Sequence, residues 1–375
     1  MNKFQIRTAI YYGVESLGYL NGLAGRRVLV VTDAFMASTE AMRRVLAALQ
    51  GSAVAVFDRV KPNPTIEVVT DGLRFFMECP PQAVVALGGG SSLDTAKAVF
   101  KVAVEQGYSD VEFIAIPTTS GSGSEMTSYA VITNAATKEK MALVSPDMYP
   151  DVAILDPNIV LGTPPRLTAD TGMDAVSHAV EAYVSKHHTD FSDAMAEKAL
   201  HLLFEYLPVT YVESDNLAAR ERVHNAACLA GMAFENAGLG IVHSISHAIG
   251  GTFSVPHGRL NALIMPTVIE FNAGDLRVSK SPISATALRY AQLGRMLGSA
   301  TASTRNQVAG LVSLIKHLRR DLDMPERITD LGIPPYEFVA AIPTLAETAF
   351  NDHCTPGNPR EAGVEDIEAL LRFLI

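Results

Sequence analysis

Short runs of apolar residues alternate with longer amphipathic stretches in the first half of the chain. The runs are rich in Val and Ala, as in RVLVVTD and AVVAL, and stretches with helical spacing of apolar residues lie between them. This alternation is typical of βαβ units in a mainly parallel sheet. We predict strands at residues 5–12, 27–33, 53–57, 83–87, 113–116, 130–133 and 152–155, and helices at 37–49, 66–78 and 91–104.

From Leu167 onward the apolar residues recur only at helical spacing. This pattern predicts helices at 168–185, 191–206, 216–235, 240–250, 259–272, 283–297, 303–319, 335–349 and 361–374. The dipeptide Pro164-Pro165 forms a stiff joint just before them. We therefore predict an α/β domain over residues 1–162 and an all-helical domain over residues 163–375.

The charge of the chain argues against a nucleic-acid surface. Its 375 residues include 40 acidic and 30 basic side chains, a net charge of −10, with no Lys/Arg stripe. No signal-peptide pattern or long apolar run occurs, so we expect a soluble, cytoplasmic protein that does not bind membranes. The three scattered cysteines, Cys79, Cys228 and Cys354, are expected to be reduced thiols.

Three histidines lie in the almost uncharged segment GLGIVHSISHAIGGTFSVPHG. His243 and His247 are four residues apart, so a helix would place them on one face. His257 follows a Gly-Gly break and a proline, and we expect a loop to bring it back towards the same point. Asp174 and His178 repeat the four-residue spacing about seventy positions upstream.

A divalent metal is the interpretation that best explains these residues together. A lone histidine on an apolar helix is usually a core residue, but burying several imidazoles and a carboxylate without a shared partner costs several kcal/mol. One carboxylate and two or three imidazoles suit Fe(II), Zn(II), Co(II) or Mn(II). Spacing alone leaves open which histidine is not a ligand.

The segment Gly88-Gly89-Gly90-Ser91-Ser92 joins a strand to a helix. Glycines let backbone amides approach a phosphate, and a helix N-terminus favours negative charge, so the segment suits a pyrophosphate. The alternative is a tight turn with Ser91 or Ser92 as the N-cap. Asp94, in the first turn, either complements the helix dipole or contacts a cofactor.

Weaker candidates for cofactor contacts lie at the ends of other strands. Asp33 could bind an adenosine ribose, which would favour NAD over NADP, or could form a strand-end turn. Thr118, Thr119 and Ser122 belong to a Ser/Gly-rich loop that could wrap a phosphate or remain solvated. Asn63 in PNPT is a still weaker candidate for a cofactor contact. Lys140 lies beside a charged turn, and the simplest interpretation of that turn is exposure to solvent.

Four motifs, TGMDAVSHAVEAYV, the three-histidine segment, ALGGGSSLDTAKAV and IPTTSGSGSE, resemble the iron-containing (group III) alcohol dehydrogenases. The resemblance implies a Rossmann-like, NAD-binding α/β domain followed by an all-α metal-binding domain, a dehydroquinate-synthase-like architecture. It implies the metal ligands Asp174, His178, His243 and His257, with His247 beside the metal as a non-ligand. It implies cofactor contacts at Asp33, at Gly88, Gly89, Gly90 and Ser91, and at Thr118, Thr119, Ser122 and Lys140.

Within that family, FQIRTAIYYGVESL, TSYAVITN and VHNAACLAGMAF look similar to the propanol and ethanol dehydrogenases of bacterial microcompartments. The resemblance implies reversible hydride transfer between NAD(H) and a small primary alcohol or aldehyde at Fe(II), or at Zn(II) or another divalent metal. His247 would relay the proton. A homodimer or higher homo-oligomer is expected, with microcompartment shell or lumen proteins as further partners.

Three other functions stay open at this point. A sister enzyme of the same architecture would be a zinc-dependent polyol dehydrogenase or a dehydroquinate-synthase-like cyclase. A metal-dependent hydrolase would need no NAD, although the chain has no Gly-x-Ser-x-Gly, Walker A or paired catalytic carboxylate motif. A non-catalytic, microcompartment-associated scaffold or metal-storage protein would need neither the glycine-rich segment nor the metal ligands.

Overall fold

The computed structural model describes residues 3–135, 140–274 and 282–375. The chain forms two compact units. The first comprises Met1–Thr163 and Asp215–Glu235, and the second comprises Pro164–Ser214 and Asn236–Ile375.

Parallel strands form the centre of the first unit. Its described strands are β1 (Ala9–Tyr12), β2 (Arg27–Asp33), β3 (Ala53–Val60), β4 (Ala83–Gly88), β5 (Glu112–Pro117), β6 (Tyr129–Thr133), β7 (Lys140–Val144) and β8 (Val152–Leu155). Six of them pair in parallel in the order β1-β8-β5-β4-β2-β3. The predicted α/β fold with a parallel sheet is therefore confirmed.

Both faces of this sheet are buried, which explains why its inner strands are apolar at successive positions. Val28 and Val30 belong to one core cluster with Val45 of helix α1 (Glu40–Ala48). Leu29 and Val31 belong to the opposite cluster, which includes side chains of α2 (Ile66–Glu78) and α3 (Gly90–Glu105).

Two strand predictions need correction. The first strand is limited to Ala9–Tyr12 rather than residues 5–12. The predicted strand at residues 130–133 lies outside the parallel sheet, because β6 pairs antiparallel with β7 in a separate two-stranded sheet. The sequence pattern did not reveal β7, whose burial shows no clear alternation.

Most of helix α6 (Leu217–Ala237) packs within the first unit although it lies far along the chain. His224 places Nδ1 at 3.0 Å from Ser120 Oγ, and burial lowers the pKa of His224 to about 4. Gly231 approaches Gly123 so closely that a Cβ on Gly231 would lie 2.9 Å from the Gly123 carbonyl oxygen. The assignment of NAD binding to residues 1–162 and of metal binding to 163–375 stays a prediction.

The described part of the second unit is helical, as the sequence predicted. Its helices are α4 (Pro165–Val184), α5 (Asp190–Val212), α7 (Ile241–Phe253), α8 (His257–Ala273), α9 (Ala285–Met296), α10 (Thr304–Asp321), α11 (Pro335–Phe350) and α12 (Val364–Arg372). Helix α5 continues past its predicted end at residue 206 with Pro208 inside it, where a proline usually ends a helix. In the described residues, no helix has the length and apolar character that a membrane span requires.

Helices α4 and α8 approach each other closely at Gly258. A Cβ at that position would lie 1.8 Å from the carbonyl oxygen of Asp170 and 3.0 Å from Cβ of Asp174. Only a residue without a side chain therefore permits this separation of the two helices.

We expect Gly258→Ala to lower the free energy of unfolding by about 3 kcal/mol, because the added methyl group must push α8 away from the α4 backbone. Urea unfolding followed by circular dichroism measures the change. The control is Gly251→Ala on α7, where a Cβ meets no atom within 4 Å. That change should raise stability by about 0.5–1 kcal/mol through helix propensity. Equal stability of the Gly258→Ala variant and the wild type would contradict the close packing.

Candidate metal centre

Three helices of the second unit bring four polar side chains together. Helix α4 carries Asp174 and His178 one turn apart, α7 carries His243, and α8 begins at His257. The Nε2 atoms of His178, His243 and His257 lie 3.8, 3.8 and 3.7 Å from Asp174 Oδ1. The short connection after α7 does bring His257 back to this point, as expected, but the histidine is the first residue of α8, whereas the sequence predicted a helix only from residue 259.

These four side chains fit a divalent metal. Around a tetrahedral ion with bonds of about 2.0–2.2 Å, ligand atoms lie about 3.3–3.6 Å apart, close to the three separations measured from Asp174 Oδ1. Asp174 and His178 are buried, and His243 is almost completely so. Burial raises the pKa of Asp174 and lowers that of His243, so both groups need a partner that satisfies them together. Three imidazole nitrogens and one carboxylate oxygen are such a donor set for Fe(II) or Zn(II).

Glu181 contacts the imidazole of His243 at Nδ1, the ring nitrogen that does not face Asp174. Its Oε2 lies 2.5 Å from His243 Nδ1, and its Oε1 accepts a 2.7 Å hydrogen bond from the backbone N–H of Val242. Burial raises the pKa of Glu181 to about 7. A proton on Nδ1 leaves the Nε2 lone pair for a metal. The sequence contains a signal for this role, because Glu181 lies seven residues after Asp174 and hence on the same face of α4.

Ser246 positions His257 in the same way. Its Oγ lies 2.8 Å from His257 Nδ1 and also donates to the carbonyl oxygen of that residue at 3.2 Å. The hydroxyl therefore ties α7 to the first residue of α8. The sequence alone does not reveal the role of this serine, since nothing in its spacing distinguishes it from a core position.

His247 lies one turn after His243, with its ring stacked on that of His257 at a centroid distance of 5.0 Å. Its Nδ1 lies 2.9 Å from Asp352 Oδ2. Burial acts to raise the pKa of Asp352, but the hydrogen bond and charge of His247 outweigh it and hold this pKa well below its usual range. His247 therefore has a fixed orientation, with its Nδ1 engaged by a carboxylate.

Asn261, fully buried on α8, contacts three of the four expected ligands through its side-chain amide. Its Nδ2 donates to Asp174 Oδ1 at 2.8 Å and lies 3.3 and 3.1 Å from Nε2 of His243 and His257. The amide thus orients the carboxylate and lies against Nε2 of two imidazoles, the nitrogens expected to bind a metal. The sequence alone does not reveal the role of Asn261, because only the packing of α8 on α4 brings it to Asp174.

The glycine-rich segment of the first unit lies where β4 ends and α3 begins. Gly88 has a φ of 154°, and a Cβ there would lie 2.5 Å or less from two side-chain atoms of Ser92. A Cβ on Gly89 would meet Thr119 at 3.3 Å, and one on Gly90 would meet Ser122 at 3.3 Å. The structure therefore brings the glycine-rich segment and the Ser/Gly-rich loop together.

The alternative role of Ser91 or Ser92 as the N-cap of α3 is wrong. Gly89 is the N-cap, and no side chain caps the helix. Asp94 is half-buried and accepts hydrogen bonds from Ser124 Oγ at 2.8 Å and Val131 N at 3.0 Å. This carboxylate fixes the loop beside the glycine-rich segment, and a direct contact with a cofactor stays a prediction.

The remaining predicted cofactor residues also lie in the first unit. Asp33 ends β2, where its Oδ1 accepts from Met36 N at 2.9 Å, as in a strand-end turn. Asn63 has a left-handed φ of 53° in the turn before α2. Lys140 begins β7, and burial lowers its pKa while Asp94 opposes the shift. Their roles in cofactor binding, with that of Thr118 at the end of β5, stay predictions.

Two family models match consecutive parts of the chain. The model described as iron-containing alcohol dehydrogenase matches residues 8–157, and the one described as Fe-containing alcohol dehydrogenase family, C-terminal, matches residues 168–375. The chain belongs to the iron-containing alcohol dehydrogenase family. The resemblance drawn from the four motifs is thereby confirmed, as is the class of enzyme, an oxidoreductase.

Individual members of the iron-containing alcohol dehydrogenase family match the whole chain. The 1-propanol dehydrogenase PduQ of Salmonella typhimurium is 40% identical over 379 residues, covering 100% of both chains. The NADPH-dependent butanol dehydrogenase of Clostridium saccharobutylicum is 36% identical over 388 residues, covering 99% of this chain and 97% of that protein. A solved structure of 1,3-propanediol oxidoreductase has a TM-score of 0.91 at 33% identity and covers 100% of both chains.

We expect Asn261→Ala to weaken binding of a divalent metal by about 10-fold or more, because Asp174 loses the amide that orients it. Competition with a chromophoric chelator measures the dissociation constant of Zn(II) or Co(II). The control Asn306→Ala removes an exposed asparagine on α10 and should leave that constant unchanged. Unchanged affinity in the Asn261→Ala variant would show that the amide only fills space.

Proposed function

We propose that this protein is an NAD(H)-dependent and divalent-metal-dependent alcohol dehydrogenase. It interconverts short-chain primary alcohols and aldehydes, with 1-propanol and propanal or ethanol and acetaldehyde as the substrates. The observation that carries the proposal is the group of four ligand atoms from Asp174, His178, His243 and His257, with the oriented imidazole of His247 beside it. The name of the 1-propanol dehydrogenase relative supports a three-carbon substrate.

Asp174, His178, His243 and His257 would hold the metal, Fe(II) in this proposal, which when bound supplies Lewis acidity towards the substrate oxygen. Bound NAD(H) supplies the acceptor or donor of hydride. The protein's own task at this centre is orientation. Glu181 and Ser246 fix the rings of His243 and His257 so that their Nε2 atoms lie on the side of Asp174.

His247 is the residue that holds and moves the substrate proton in this proposal. Its Nδ1 is engaged by Asp352, so Nε2 is the nitrogen left to exchange a proton with the substrate hydroxyl. The carboxylate stabilises the imidazolium that forms when an alcohol gives up its proton, and it fixes the ring for the return step. The ring is not fully enclosed, with a side-chain exposure of 19%, so that the proton can exchange with solvent.

The choice of NAD over NADP rests on Asp33. A carboxylate at the end of β2 suits the ribose hydroxyls and repels a 2′-phosphate. In our proposal Gly88 to Ser91 receive the pyrophosphate, and Asn63, Asp94, Thr118, Thr119, Ser122 and Lys140 contribute further contacts. The butanol dehydrogenase relative is named for NADPH, so both cofactors belong in the test.

We also propose that the protein forms a homodimer or higher homo-oligomer and associates with the shell or lumen of a bacterial microcompartment. The similarity to 1-propanol dehydrogenase PduQ supports the second part. Sedimentation of the purified protein tests the oligomer. Co-sedimentation with shell proteins tests the association, and recovery solely in the fraction without shell proteins would contradict it.

Anaerobically purified, Fe(II)-loaded protein should oxidise NADH in the presence of small aldehydes, with the highest kcat/KM at propanal or acetaldehyde. The near-ultraviolet absorbance of NADH measures the reaction across a series from acetaldehyde to butanal. Metal-stripped protein should be inactive, because the substrate oxygen then lacks its Lewis acid. NADPH should be used less well than NADH because of Asp33.

Zinc-loaded protein and polyol substrates serve as comparisons in that experiment. Higher activity with zinc and glycerol-type polyols would replace our proposal by the sister polyol dehydrogenase. Folded, metal-loaded protein that oxidises neither cofactor with any aldehyde would favour a metal-dependent hydrolase or a non-catalytic role.

We expect His247→Ala to lower kcat by about 100-fold or more, because general acid and base catalysis contributes at least that much. The variant should still bind one metal ion per chain, measured by elemental analysis after gel filtration. The matched variant His257→Ala should lose metal and activity together. Loss of stoichiometric metal from the His247→Ala variant would instead make this histidine a ligand.

A further inference from the structure

Among the described residues, a buried cation of the second unit has one guanidinium nitrogen without a hydrogen-bond partner. Arg319 lies in the last turn of α10 and is 5% exposed. In the described parts of the chain, no acceptor lies within hydrogen-bonding distance of its Nε. Its ion pair with Glu326 spans 3.9 Å, too long for a hydrogen bond, and the Glu326 side chain is 55% exposed. Such a guanidinium carries a desolvation cost that this weak pair does not offset.

A cavity of about 240 Å³ opens beside this guanidinium. Lys316, Arg319 and Arg320 line it from α10, Thr267 lines it from α8, and Glu326 supplies its single carboxylate. Three positive charges face one negative charge, so the lining carries an excess of two positive charges. The other lining residues include Phe373 and Leu374, which directly follow α12.

The dipole of α10 explains only part of this arrangement. Cations in the last turn of a helix are favourable because they face the partial negative charge of its C-terminus. That reason suffices for the exposed Arg320, which needs no other partner. It does not explain why Arg319 is buried, since an exposed side chain would interact with the dipole without losing its hydration.

We propose that this cavity binds a phosphate group, carried by inorganic phosphate or by a small phosphomonoester. A phosphate dianion matches the excess charge of the lining, whereas a single carboxylate would leave one positive charge uncompensated. A guanidinium offers paired N–H donors that fit two phosphate oxygens, and Lys316 and the Thr267 hydroxyl add donors around the tetrahedron. The anion would link α8, α10 and the end of α12, and α8 is the helix that begins at His257.

Titration calorimetry of the metal-loaded protein with inorganic phosphate tests the proposal at constant pH and ionic strength. Saturating NAD⁺ is present throughout, so that phosphate does not occupy the glycine-rich segment. The double variant Lys316→Gln/Arg320→Gln changes two exposed side chains and should weaken phosphate binding at least 10-fold. The control Arg222→Gln, at an exposed position on α6, should bind phosphate as the wild type does. Equal affinity in the wild type and the double variant would overturn the proposal.

The same titration with glycerol phosphate and with succinate identifies the chemical class of the ligand. Tighter binding of glycerol phosphate than of inorganic phosphate assigns the site to phosphomonoesters, and the reverse order assigns it to free phosphate. Either result supports the proposal if binding is lost in the double variant. Succinate binding as tight as that of both phosphates would overturn the assignment to phosphate.

Arg319→Met separates a ligand-binding role of the guanidinium from a structural one. Methionine retains the apolar stem but not the charge, so the midpoint of thermal unfolding in phosphate-free buffer should equal or exceed that of the wild type. Addition of phosphate should raise the midpoint of the wild type but not that of the variant. A lower midpoint in the variant, by the same amount with and without phosphate, would overturn the proposal by making Arg319 a structural residue.

Discussion

The centre of the second unit depends on the contact between α4 and α8 at Gly258. The absence of a side chain there lets the α8 backbone reach the carbonyl oxygen of Asp170, one turn before Asp174. His257, the residue before this glycine, is thereby placed with its Nε2 3.7 Å from the Asp174 carboxylate. A metal site needs its ligands positioned to within a few tenths of an ångström, and this backbone contact sets the position of two of the proposed ligands, Asp174 and His257.

Hydrogen bonds then fix the orientation of the rings that the helices position. Glu181, Ser246 and Asp352 each engage the Nδ1 atom of a different histidine: His243, His257 and His247. Since an imidazole ring has two nitrogens, fixing one determines where the other points. In the proposed function, the same type of hydrogen bond prepares Nε2 of His243 and His257 for a metal and Nε2 of His247 for proton transfer.

The sequence predicted the features that depend on local spacing. The apolar strands, the helices after Leu167 and the two pairs of residues four apart follow from periodicities of 2 and 3.6, which need no knowledge of the fold. The start of α8 at His257 and the pairing of β6 outside the main sheet depend on tertiary contacts. So do Asn261, which reaches Asp174 only through helix packing, and Asp352, which lies 105 residues from its partner His247.

Some buried charges of this protein are neutralised or hydrogen-bonded by groups of the fold. Others, in our proposals, are compensated by a bound ligand. Lys97 of α3 is fully buried, yet its Nζ donates to Thr127 Oγ1 at 2.8 Å and to the carbonyl oxygen of Tyr129 at 2.9 Å, and burial lowers its pKa to about 8. That cation has its partners within the fold. The side chains around Asp174 suit a cation, and those lining the cavity beside Arg319 suit an anion. Because burial penalises an uncompensated charge wherever it lies, the same physical rule supports both the proposed metal and the proposed anion.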